Sequence, residues 1–192
     1  MLNHYIETKF SAYNLNEEEV MELIRVFRLK RYRRKERIFN LEDRMSTVGF
    51  LLEGSVYSSV IRQDGKLCIT SFHYPLSIGE IVFNYEDYLQ ERLSQKIYHV
   101  YEDALLLLVD INTIKSLKTR FPKFYQLEMM IMELTLEHAL KSIHIFQAKT
   151  IAEKVMLLKT HSPKTFQIFP YSYIASYLGI HRNTLNKLML CV

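Results

Sequence analysis

Between Pro122 and Pro163 the chain contains neither glycine nor proline, the two residues that most readily break a helix. Within that stretch Met129, Met132, Leu136, Ala139, Ile143 and Phe146 follow one another at intervals of 3, 4, 3, 4 and 3, which predicts a heptad seam on a helix of about 25 residues. A second stripe, Leu127, Ile131 and Leu134, falls on a neighbouring face. A helix that is apolar on two sides has to be covered twice. One stripe can pack on the helix's own body and the other on a second copy, which gives a homodimer; alternatively the helix is wholly buried inside a monomer. The dimer is the favoured expectation, because the β-rich body preceding the helix leaves little else to cover the second stripe.

That body reads differently. Residues 15–28 have helical spacing, with Asn16 as a cap and Val20, Leu23, Ile24 and Phe27 on one face. Eight basic side chains then crowd the span from Arg25 to Arg37, which reads as a helix end and a first strand with solvated charges, or as a polyanion site. From about Ile38 to Asp110 the pattern becomes strand-like, at Thr47–Leu52, Ser55–Ile61, Cys68–His73 and Lys96–Leu108. Gln63-Asp64-Gly65-Lys66 predicts a tight hairpin turn, and Gly54 a second bend. Short strands joined by tight turns predict a sandwich or barrel.

Composition narrows the class. Hydrophobic residues are 48% and charged residues 24% of 192, the balance of a folded globular chain. The longest uninterrupted apolar run, Ala104 to Val109, is far short of the ~20 residues a membrane helix needs. The opening MLNHYIETKF has no apolar core of a secretory signal, so the expected location is cytoplasmic, with no membrane partner. Cys68 and Cys191 are too few for a disulfide framework or a cysteine-based metal cluster, and no metal or resident cofactor is expected.

The charge is unevenly placed. Residues 149–192 carry six basic side chains against Glu153 alone, while the rest of the chain is nearly balanced, so the whole excess of +4 lies in the last quarter. A small basic module on a neutral body suggests a polyanion partner. Its end reads YSYIASYLGIHRNTLNKLML. Ile174 and Leu178 share a helix face, Ala175 is small where two helices must cross, and Gly179 sits where a sharp turn needs positive φ. Ile180, Leu185 and Leu188 continue the apolar set on a second helix. This is the spacing of a helix-turn-helix, whose second helix enters the major groove of double-stranded DNA. Arg182, Asn183, Asn186 and Lys187 fall on its outward side, with side chains suited to guanine, adenine and phosphate. His181 stands at the cap, where a neutral imidazole can accept one backbone hydrogen bond less well than Ser or Thr would.

The order of β-roll, long helix, short helix and helix-turn-helix resembles the Crp/Fnr family of bacterial transcription regulators, from about Leu15 onward. Its most specific pieces are Tyr173 to Ile180, together with Gly54, Asp64-Gly65-Lys66 and Ile78-Gly79-Glu80. The resemblance implies an α+β fold in three parts. Residues 1–121 form an N-terminal helix and an antiparallel β-roll (a jelly roll of the cyclic-nucleotide-binding type) that serves as effector domain. Residues 122–148 form the dimerisation helix and 149–192 the DNA-binding domain. It also implies a homodimer reading a palindrome through residues 181–190, with RNA polymerase as a further partner. The chain stops five residues after Lys187, so the β-hairpin wing that follows the recognition helix in many members is expected to be missing. Five glycines are few for the family, and Glu42 stands near one expected turn glycine.

In the effector pocket the resemblance assigns Gly79 and Glu80 to the start of the cyclic-nucleotide cassette, the Glu holding a ribose hydroxyl. The Arg that pairs with the cyclic phosphate is replaced by Ser94, with Arg92 and Lys96 as substitutes. A phosphate buried without a bidentate cation is poorly compensated, so cyclic AMP is not expected and the effector is left open.

An enzyme is not expected. His73 and His99 are isolated in sequence, no histidine has a partner that suggests haem, and Glu86 and Asp87 are adjacent rather than facing. No Gly-rich phosphate loop or Gly-x-Ser-x-Gly elbow occurs. The alternative to a DNA-binding regulator is a cyclic-nucleotide-type sensor or scaffold that acts through protein partners.

Overall fold

A computed structural model describes residues 2–190, apart from the side chains of Lys9, Ala12 and Ile78; Cys191 lies outside the described residues. Two helices lead, α1 (Leu2–Lys9) and α2 (Glu17–Val26). Asn16 caps α2 as its spacing predicts. Its side chain accepts from the Glu19 N–H, and the Glu19 carboxylate accepts from the Asn16 N–H, both at 2.8 Å.

A six-stranded antiparallel sheet follows: β1 (Arg28–Tyr32), β2 (Arg37–Phe39), β3 (Thr47–Ile61), β4 (Leu67–His73), β5 (Ile81–Val82) and β6 (Ile97–Asp110). The order is β1-β6-β3-β4, with β2 on β6 and β5 on β3. The hairpin turn is where Asp64-Gly65 places it. Gly65 has φ +76, and Ile61 faces Leu67 across the turn. Gly54 does not make a bend. The two segments read on either side of it are one strand, β3, and Gly54 lies at a register shift within it, with φ +80.

β6 runs along the middle of the sheet between β1 and β3, and Ala104 to Leu107 are all buried. Covered on both faces, this segment loses the in-out alternation that marks a half-exposed strand. The basic run from Arg28 to Arg37 forms the edge strand β1, the turn after it and the first residue of β2, with every arginine and lysine exposed. Glu42, where the resemblance expects a turn glycine, does adopt a glycine-like φ of +70.

Two short helices interrupt and close the roll, α3 (Tyr85–Leu89) and α4 (Ile111–Leu117). The long helix α5 (Phe124–Gln147) then packs on it, and its two stripes separate. Leu127 and Ile131 are buried in the main core and Leu134 packs against that core. The seam faces outward, with Met129, Met132, Leu136, Ile143 and Phe146 between 45 and 59% exposed and Ala139 also exposed. The wholly buried alternative is therefore ruled out by the helix's own exposure.

The chain ends in α6 (Ile151–His161), α7 (Thr165–Ile168), α8 (Tyr171–Leu178) and α9 (Arg182–Leu190). Thr150 and Glu153 form a reciprocal cap on α6. No helix among the described residues is long and apolar enough to cross a membrane.

Candidate nucleic-acid interface and cavity of the roll

α8 and α9 meet through Gly179, whose φ of +67 turns the chain between them. Ile174, Ala175, Leu178 and Leu185 are buried where the two helices cross. Arg182, Asn183 and Lys187 are exposed and Asn186 is half-buried. The side chains of these four make no hydrogen bond or ion pair among the described residues. His181 caps α9 as its position suggests, its Nδ1 accepting from the Asn183 N–H at 3.3 Å.

The opposite side of this unit is docked on the roll, which the sequence reading did not foresee. The Ile69 N–H of β4 donates to Ser176 Oγ at 3.2 Å. Around that bond the rings of Phe72 and Phe169 lie 4.5 Å apart, those of Tyr57 and Tyr173 4.9 Å, and those of Tyr101 and Phe169 5.1 Å. Burying aromatic surface of this kind stabilises by ~1.5–3 kcal/mol per side chain. The docking uses α8 and leaves Arg182 free. The signal was present in the sequence as five aromatic residues, Phe166, Phe169, Tyr171, Tyr173 and Tyr177, in so small a module.

Between the roll and α5 lies a cavity of about 390 Å³, lined by Gly79, Lys96 and Tyr98 of the roll and by Leu134, His138 and Ser142 of α5, among others. A directed chain of hydrogen bonds runs along its wall. The Gly79 carbonyl can only accept, so the His73 ring, 2.7 Å away, carries its proton on Nδ1. Nε2 then accepts from the Ser71 hydroxyl at 2.7 Å, Ser71 accepts from Ser58, and Ser58 accepts from Thr70 at 2.7 Å. Burial, and then the neighbouring His138, push the His73 pKa down to about 3. Burial, and then Lys96, push His138 down to about 4. The two rings lie 5.9 Å apart, and both are neutral at neutral pH.

No family model matches the chain. The "Anaerobic regulatory protein" of Haemophilus influenzae is 22% identical over 189 residues, covering 92% of this chain and 72% of that relative. FixK2 from Bradyrhizobium japonicum is 19% identical, with a TM-score of 0.65, over 85% of this chain and 83% of its own. A transcriptional regulator assigned to the Crp/Fnr family from Eubacterium rectale is 10% identical, with a TM-score of 0.67, over 91% and 82%. The chain has the Crp/Fnr fold. A CooA mutant from Carboxydothermus hydrogenoformans superposes on it with a TM-score of 0.63 at 18% identity, over 93% of this chain and 81% of its own.

Within the Crp/Fnr fold the five residues assigned to the effector pocket do not converge. Gly79 and Lys96 line the cavity. Glu80 is buried but outside the lining. Ser94 is buried, its hydroxyl donating to the Lys96 carbonyl at 2.9 Å. Arg92 points elsewhere, with its Nε 2.5 Å from Asp87 and its Nη2 2.9 Å from Glu86. That pairing also revises the reading of Glu86 and Asp87, which share one guanidinium although they are adjacent on α3. The residues the sequence reading missed are His73, His138, Thr70 and Ser71. Only their convergence across β4 and α5 marks them, and no local spacing carries it.

Proposed function

We propose that this chain is a DNA-binding transcription regulator that acts as a cytoplasmic homodimer. Its parts would be a roll at 1–121, a dimerisation helix at 122–148 and a DNA-binding module at 149–192. The observation that carries the reading is the recognition helix. Arg182, Asn183, Asn186 and Lys187 leave their polar ends unengaged on one side of a helix-turn-helix whose other side is docked. The positive N-terminal end of α9, where Arg182 and Asn183 stand, adds attraction for phosphate. The exposed seam on α5 supports pairing of two copies, which would set two recognition helices for half-sites about 34 Å apart.

The names of the Haemophilus and Eubacterium proteins are those of regulators, which favours this reading over a scaffold that no longer touches DNA. An effector bound in the cavity would act on the hinge at 147–151, where α5 ends and α6 begins. The test is a salt-dependent gel shift on random duplex DNA. The unaltered chain is expected to bind, with an affinity that falls as salt rises, and Arg182→Ala with Lys187→Ala to lose most of that binding. Equal affinity of the double variant would defeat the proposal.

A further inference from the structure

The cavity between the roll and α5 is lined by one ammonium that no hydrogen bond or ion pair engages among the described residues. It belongs to Lys96, immediately before β6. Burial pulls its pKa down, against a smaller upward pull from Glu86 and Asp87. The carboxylate in the same lining, Glu86, is held by Arg92 at 2.9 Å. His138 faces the cavity from α5 with no hydrogen bond to its ring nitrogens among the described residues, and as a neutral imidazole it offers one N–H donor. The remaining wall includes Phe83, Tyr98 and Leu134. A cavity of about 390 Å³ with an apolar wall and a few convergent polar groups has the make-up of a small-molecule site.

We propose that this cavity binds a small amphipathic organic carboxylate, its head between Lys96 and His138 and its apolar body against Phe83, Tyr98 and Leu134. The proposal rests on the reading of the chain as a ligand-controlled regulator and names the chemical class of its ligand. Charge decides the class. A single ammonium that already feels Glu86 and Asp87 suits a ligand of no more than one negative charge, and Lys, as a point charge, lacks the fork that grips a phosphate in two places. Arg92, the one fork near the site, is committed to Asp87 and Glu86. The Glu86 carboxylate in the lining also disfavours a ligand of higher negative charge.

The experiment is calorimetry on the full chain with indole-3-acetate and octanoate as probes, each against its neutral amide, and with cyclic AMP alongside. At least one acid is expected to bind, its amide at least about tenfold more weakly. Lys96→Met should lose the preference for the acid and Lys96→Arg should keep most of it, with thermal melts confirming that each variant folds. The acid–amide comparison uses the unaltered chain, so it stands whether or not a variant folds. Equal binding of acid and amide, tighter binding of cyclic AMP than of either acid, or no binding of either acid at millimolar concentration would overturn the proposal. A gel shift on the same preparation separates the two readings. DNA binding without carboxylate binding removes the ligand class alone, and carboxylate binding without DNA binding removes the regulator reading alone.

Discussion

The hydroxyl of Tyr177 donates to Ser142 Oγ at 3.2 Å, so the first helix of the helix-turn-helix is tied directly to the long helix. Ser142 also lines the cavity of the roll, and the Tyr177 ring lies 5.2 Å from that of Phe146, another lining residue. One side chain of the C-terminal helical module thus touches two residues of the cavity wall. Tyr177→Phe keeps the ring packing and removes the hydrogen bond, at a cost of about 1 kcal/mol. The expected outcome is a roughly fivefold faster amide exchange across α6 to α9 with the roll unaffected. Exchange unchanged in α8 would mean that the bond does not hold the module.

Two glycines with similar φ angles separate backbone strain from crowding. At Gly54, a Cβ would lie 2.1 Å from the Asp103 carbonyl oxygen of the neighbouring strand. At Gly179 nothing lies within 4 Å of that position. Gly179→Ala should cost only the ~1–2 kcal/mol of placing a side chain in the left-handed region. Gly54→Ala adds a clash between paired strands that cannot relax without breaking the register, so its cost should exceed that of Gly179→Ala clearly in chemical denaturation.

Much of this architecture is readable in the residues, because local rules suffice for it. Asn16 with Glu19, Asp64-Gly65 and the 3-4 spacing on α5 each act within one or two turns of chain, and each forms the element it predicts. The pair of helices joined at Gly179 is legible for the same reason. Gly54 misled because a glycine with positive φ serves a bulge as well as a turn, and the distinction depends on a strand 50 residues away. The cavity was legible only in part. Gly79 and Lys96 were found, but His73 and His138 are 65 positions apart and meet only because α5 lies back across the roll. Arg92 misled because its partners Asp87 and Glu86 precede it by five and six positions and draw it out of the cavity.

The outward stripe of α5 is testable without knowing any DNA site. Leu136 is 59% and Ile143 47% exposed in a single copy, so a charge at either should leave the protomer folded. In a dimer seam the same charge would be buried beside its symmetry mate. Leu136→Glu with Ile143→Glu is therefore expected to sediment as a monomer, with an unaltered far-ultraviolet spectrum and DNA affinity reduced by about two orders of magnitude or more. Ile131→Glu, on the buried stripe, should instead unfold the protomer.

The paired histidines make stability depend on pH in a defined direction. His73 faces His138 and Lys96, and His138 faces Lys96 and Lys141, so every charged neighbour opposes protonation. The unfolded chain takes up protons on both rings near pH 6.5, whereas the folded chain does so only near pH 4 and pH 3. Between those limits the unfolded state binds more protons, so stability rises with pH and is lost as pH falls below 6.5. Each ring contributes up to about 1.4 kcal/mol per pH unit. Melting temperature should fall from pH 7 to pH 5, and His138→Gln should flatten that slope; equal slopes in both proteins would show that His138 titrates normally.

The outward side chains of α9 should divide by role. Lys187, as a flexible point charge, suits phosphate, so Lys187→Ala is expected to weaken binding to all duplexes alike. It should also reduce the slope of log affinity against log salt by about 0.9 for each contact removed. Arg182 and Asn183 stand in the first turn of the helix, whose N-terminal residues reach base edges when such a helix lies in the major groove. Asn183→Ala should therefore leave the salt slope nearly unchanged and relax the preference at one base position per half-site, by about 1–3 kcal/mol. Selection of bound sequences from a random pool, carried out for the unaltered chain and both variants, checks the division. If Asn183→Ala changed the salt slope and Lys187→Ala changed the selected sequence, the helix would be seated in the groove by its C-terminal half, and the assignment of Arg182 as a base contact would fall with it.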